Sequence, residues 1–159
     1  MRIRSLLAGA AVLAFVSPAW AQATQVSFSP EFQTALDEEY GAREGEYLRT
    51  RVAEAIEREL ARRGVSNTSG IQITIVDADP NRPTMQQLSA QPGLDPIRSV
   101  SIGGAELQAT LPGGEVITHR RYNHSLADVV GPSTTWTEAQ RAIRRFAVKV
   151  ADAYIATPR

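Results

Sequence analysis

The chain has 159 residues, 17 basic and 17 acidic side chains and no cysteine. That is the length of one ordinary domain, and it excludes disulfides, thiolate metal shells and a lipid-modifiable cysteine. The lone lysine, Lys149, leaves little for Schiff-base or Ser-Lys chemistry, and the balanced charge excludes the strongly basic face that nucleic-acid binding requires.

Arg2 and Arg4 precede an apolar run from Leu6 to Val16 and the small-residue site Ala19-Trp20-Ala21, the three parts of a secretory signal peptide. The run is too short to span a bilayer, which takes about 20 apolar residues. Residues 1–21 are expected to be removed on export to the periplasm, with Ala23 as the alternative end. Residues 22–159 then form a single domain with no membrane span.

A short extended piece at Gln25 to Phe28 leads to Ser29-Pro30, an N-cap serine followed by proline at the first helical position. Phe32, Leu36 and Tyr40 recur at helical spacing until Gly41 and Gly45, between which a break or kink is expected. A second helix carries Leu48, Val52, Ile56 and Leu60 on one face and ends at Gly64. Ile71, Ile73 and Ile75 alternate as one buried face of a strand that closes at Asp79-Pro80. One helical turn fits Pro83 to Leu88, presenting Met85 and Leu88, before a loop through Pro96.

Val100 and Ile102 have one parity, whereas Ala105, Leu107, Ala109 and Leu111 have the other, so a β-bulge is expected at Gly103-Gly104, with positive φ at one of the two. Pro112-Gly113-Gly114 turns the chain into a second strand from Glu115 to His124. Thr135 and Glu138 read as the capping box of a final helix carrying Ala139, Ile143, Phe146, Ala147, Val150 and Tyr154 at helical spacing. This order predicts an α+β two-layer sandwich: a small, mainly antiparallel sheet with the helices on one face.

Asp77, Asp79 and Asn81 match the first three ligands of a calcium loop, but Arg82 and Leu88 stand where that loop needs glycine and glutamate. They are read as a turn-forming strand end. His119 and His124 are five residues apart, on opposite faces of a strand, with no cysteine to complete a zinc shell. Gly-x-Ser-x-Gly, Ser-x-x-Lys and His-Glu-x-x-His are absent from the sequence, so no catalytic residue, metal or cofactor is assigned. A carboxylate pair stays open, because acid/base partners meet in space rather than in sequence.

The densest polar cluster is His119, Arg120, Arg121, Tyr122 and His124. Arginine forks and a rigid tyrosine suit recognition of a partner, while the competing reading is an edge strand guarded by charge. On the last helix Arg141, Arg145 and Lys149 repeat every four residues beside Arg144, a like-charged stripe. Anionic lipid or an acidic partner would relieve it, and so would acidic groups elsewhere in the fold. Trp136, at the first turn, is expected to pack.

Asp79-Pro-Asn-Arg-Pro-Thr84, Gln91-Pro-Gly-Leu94, Ile102-Gly-Gly-Ala105 and Thr135-Trp136 leading to Arg145-Phe-Ala147 together resemble a family of small uncharacterised exported proteins of Gram-negative bacteria. The resemblance implies a periplasmic location and carries no catalytic residue. In element order alone the chain also looks like the small envelope domains of curli-secretion and penicillin-binding-protein-activator lipoproteins, without their lipidated cysteine.

These readings point to a non-catalytic periplasmic protein that binds another cell-envelope component through the cluster around Tyr122. Two alternatives stand beside it. One is a small-molecule or lipid-binding module with a pocket lined by Leu48, Val52 and Ile56; the other is a hydrolase with an unrecognised carboxylate site. The intact mass of the exported protein should correspond to a chain starting at Gln22; a full-length mass, or recovery in the cytoplasm, would contradict export.

Overall fold

The computed structural model describes residues 24–66, 68–129 and 133–156; the expected cleavage site at Ala21 lies outside them. Strands β1 (Gln25–Phe28), β2 (Gln72–Asp79), β3 (Gly104–Thr110) and β4 (Val116–Tyr122) form one sheet in chain order. β1 runs parallel to β2, and the other neighbours are antiparallel. Helices α1 (Pro30–Ala35), α2 (Ala42–Arg62) and α4 (Thr137–Ala156) cover one face, and the short α3 (Met85–Ala90) sits beside the turn that ends α1. The architecture is the expected α+β two-layer sandwich, with a mixed sheet. Among the described residues, no helix is long and apolar enough to cross a membrane.

The core lies where periodicity placed it. Ile71, Ile73, Ile75, Leu107 and Ala109 meet Leu48, Val52, Ile56, Ile143 and Phe146, all buried; full burial of one such large side chain stabilises by roughly 1.5–3 kcal/mol. This packing removes the pocket expected along Leu48, Val52 and Ile56, which are at most 1% exposed: the space is filled by the sheet. α1 begins as expected, with the Ser29 hydroxyl accepting from the Phe32 amide at 3.0 Å. It then widens into a π-turn over Leu36–Tyr40, and the break falls at Gly41, whose φ of 102° only glycine adopts readily. Gly45 does not break anything. It lies inside α2, where a Cβ would come within 2.8 Å of a Leu36 methyl.

The bulge is in a different strand from the one parity suggested. Ile75 pairs with Leu107 and Asp77 with Glu106, leaving Val76 as the extra residue in β2. Its carbonyl is taken up by the Ser29 hydroxyl at 2.7 Å. Val100 and Ile102 are outside the sheet and exposed, and β3 starts only at Gly104, so their parity says nothing about pairing. Neither Gly103 nor Gly104 has positive φ. Glycine is needed because Asn81 presses on Gly103, and the Arg121 carbonyl and Tyr122 on Gly104, leaving no room for a Cβ.

Asn81, 1% exposed, is the joint on which the far end of the fold closes. Its amide nitrogen donates to Asn123 Oδ1 at 2.9 Å and to the Ser101 carbonyl at 3.3 Å. Its Oδ1 accepts from the Glu138 amide at 2.8 Å. Its backbone N–H donates to Thr135 and its carbonyl accepts from Ser101. The first turn of α4 is thus capped from another part of the chain rather than by the expected Thr135–Glu138 box; the Glu138 carboxylate turns to arginines instead. The capping box in this region belongs to α3, where Thr84 and Gln87 bond reciprocally at 3.2 and 3.0 Å. Trp136 packs, as expected, edge-on to Tyr40 at 5.9 Å, with its indole N–H on Glu44.

Asn81→Ala should cost about 2–4 kcal/mol in urea unfolding, since a helix cap and several buried partners lose their bonds at once. Gly103→Ala should also destabilise, through collision with Asn81. The double variant should then be less destabilised than the sum of the singles, because the smaller residue at 81 makes room; additive losses would show that the two positions do not press on each other.

Candidate functional site

The bulge at Val76 decides what the sheet shows to solvent. Asp77 and Asp79 have the same sequence parity as the buried Ile71, Ile73 and Ile75, and the extra residue moves them to the opposite face, with Ala78 taking the buried position. Bulges commonly re-aim side chains in this way. There the Tyr122 hydroxyl donates to Asp77 Oδ2 at 2.5 Å. At the end of β2 the Tyr40 hydroxyl donates to Asp79 Oδ1 at 3.2 Å. Burial and the neighbouring carboxylates hold both phenols above their usual range. Asp79 is likewise raised, by burial and then by Asp77, against the opposing Tyr40 hydrogen bond.

Beside Asp79 opens a cleft of about 400 Å³, walled by Glu39 and Tyr40 of the π-turn, Gln87 of α3 and the segment from Leu94 to Ile102. Gln87 holds Glu39 at 2.8 Å and Gln86 holds the Asp37 carbonyl, so α3 is bonded to the π-turn across the cleft. Arg82 fixes the outer loop through the Ile97 carbonyl and Ser133. The walls mix carboxylate, amide and hydroxyl groups with Leu94, Val100 and Ile102, the combination that characterises binding clefts. π-turns and shifted ionisable groups also concentrate at functional sites. No three His, Asp or Glu side chains gather as a metal shell among the described residues.

The residues expected to form one surface on β4 do not do so. Arg120 and Tyr122 face the open side, with the guanidinium 5.4 Å from the ring centre and 3.6 Å from Glu106. Arg121 points the other way, to the 1% exposed carboxylate of Glu138 at 2.5 Å, a pair that Arg141 completes from α4. This makes Arg121 structural, because its removal strands part of a buried charge. His119 also turns toward α4, with Nε2 buried and without a hydrogen-bond partner among the described residues. His124 lies past the strand, where its amide and that of Ser125 donate to Asp128. β4 is an edge strand, so alternation splits the cluster and leaves Arg120 and Tyr122 together on the open face. Sequence reasoning read Tyr40 as a helical core residue and Asp79 as a turn-forming strand end, and missed that they meet at a cleft; the apolar Ala78 between two aspartates was the signal for the bulge that re-aims Asp77 and Asp79.

A comparison with protein-family models finds no match to the chain, and neither do comparisons with curated proteins and with solved structures.

Burial lowers the His119 pKa, and Lys149, Arg145 and Arg121 lower it further. The unfolded chain therefore binds this proton more tightly than the folded one. Its contribution to stability is complete above the ordinary histidine value of about 6.5 and is lost as pH falls through the lowered folded value. Thermal melts should drop over that interval, and His119→Gln should flatten the drop; an unchanged slope would place the sensitivity elsewhere.

Proposed function

We propose that the protein is a non-catalytic binding protein of the periplasm, exported by residues 1–21, that holds another cell-envelope component. The binding surface runs from Arg120 and Tyr122 across Glu106 and Asp77 to Asp79 and the cleft. The observation that carries this reading is the cleft itself, polar at its base and rimmed by Val100 and Ile102, which are 40% and 43% exposed. The filled core supports the same reading, since it leaves no room between sheet and helices for the small-molecule or lipid pocket considered from sequence. Of the cluster on β4, only Arg120 and Tyr122 remain candidates for recognition.

Glu39 and Asp79 in one cleft favour a second reading, a carboxylate hydrolase. Consumption of the captured component over time, abolished by Asp79→Asn, would replace binding with turnover.

Arg120→Ser with Ile102→Asp should leave the melting temperature nearly unchanged, as exposed positions usually contribute under about 0.5 kcal/mol. Capture of the envelope component in periplasmic photo-crosslinking should weaken roughly tenfold or more. A photo-crosslinker at Ile102 should yield a defined adduct that one at Thr50, on α2, does not. Full retention of every adduct by the double variant would remove this surface from consideration.

A further inference from the structure

On the helical layer, α2 and α4 leave a groove of about 180 Å³ between them, floored by Ala55 and Ile143 and lined by Arg51, Arg58, Arg144 and Gln140. Arg51 is engaged, 3.2 Å from Glu54 and over the Tyr47 ring. Arg58 and Arg144 are exposed and form no ion pair or hydrogen bond with any other described residue. Among the described residues the basic stripe on α4 is neutralised in part: Arg141 has Glu138, whereas Arg144, Arg145 and Lys149 have no acidic partner there. Of the acids on the two outward faces, Glu54, Glu59 and Asp152 are already held by Arg51, Arg62 and Arg63. Among the described residues of the two helices, Glu57 is the acid left without a partner, against the unpaired Arg43, Arg58, Arg144, Arg145 and Lys149, of which Arg58 and Arg144 line the groove and Arg145 and Lys149 lie toward His119.

We propose that this face of α2 and α4 docks on a membrane surface carrying anionic phospholipid, with the headgroup phosphate held between Arg58 and Arg144. Guanidinium forks match phosphate oxygens, and like charges facing each other across a groove gain most from a shared counter-anion. What selects lipid over a free phosphate is the apolar component of the same face. Val148 and Ile155, 38% and 51% exposed, follow Arg144 at i+4 and i+11, within about 40° of it around the helix. Basic residues beside exposed aliphatic ones are the pattern of a helix that lies in the membrane interface, cations at the headgroups and aliphatic tips at the acyl boundary. The open face of the sheet lies opposite the helices, and the cleft and the groove share no lining residue, so docking leaves the sheet face and the cleft residues uncovered.

The test is co-flotation of the exported protein with vesicles of phosphatidylcholine alone or of phosphatidylcholine containing phosphatidylglycerol, with inorganic phosphate titrated separately by NMR. The protein should float only with phosphatidylglycerol, and high salt should release it. Arg58→Gln with Arg144→Gln should weaken binding roughly 25-fold, at about fivefold per arginine, with the melting temperature unchanged. Val148→Ser with Ile155→Ser should weaken it separately. Equal binding by parent and arginine variant, or equal flotation with both vesicle types, would overturn the proposal. So would saturable binding of inorganic phosphate in the groove without flotation.

Discussion

Four segments far apart in the chain meet at one side chain. Asn81 can serve them all because a primary amide both donates and accepts: it gives hydrogen atoms to Ser101 and Asn123 and takes one from the first turn of α4. An aspartate would offer acceptors only and would add a charge beside the buried Glu138. A leucine of similar size would leave every partner unpaired. The placement of the cleft follows from this joint, because the segment from Leu94 to Ile102 is anchored at Ser101 and the start of α4 brings Trp136 against Tyr40. In a chain without cysteine, a buried polar joint of this kind fixes loops that a secreted domain often secures with a disulfide.

The helices and strands were legible because their apolar residues keep a strict period. Phe32–Leu36, Leu48 to Leu60, Ile71 to Ile75 and Ala139 to Tyr154 each describe one buried face, and the fold buries them accordingly. What was not legible was where a period is interrupted. A change of phase is visible in two places, at Ile75-Val76-Asp77 and at Ile102-Gly-Gly-Ala105, and glycine made the second more conspicuous. The first is the true bulge, and it needs no glycine because Ser29 satisfies the displaced carbonyl from another element. The same non-local supply of hydrogen bonds hid the cap of α4: Thr135 and Glu138 have the spacing of a capping box, but Asn81 is better placed.

For the candidate site, composition marked the right neighbourhood and mixed two faces of it. Arg120 and Arg121 are adjacent in sequence, yet one closes an ion pair on the open side of the sheet and the other neutralises a carboxylate under the helix. Tyr122 joins Arg120 through the period-two rule and Asp77 through the bulge. Tyr40 and Asp79 are 39 residues apart, and no local pattern announces their meeting. They are brought together by an aromatic series from Phe28 through Phe32 and Tyr40 to Trp136, with ring centres 5.7, 6.3 and 5.9 Å apart.

The π-turn at Leu36–Tyr40 gives the protein an unusual response to changes in chain length. A π-turn is an α-helical turn carrying one residue more, so deleting a single residue there would restore ordinary helical phase. The change would rotate everything before it by about 100° relative to everything after it. Leu36 and Phe32 could then no longer share the core with Tyr40 facing Asp79. The cleft wall is thus written in the number of residues between Ser29 and Gly41 as much as in their identity. Descendants of this chain can vary Asp37 and Glu38, both exposed, far more freely than they can shorten the turn that carries them.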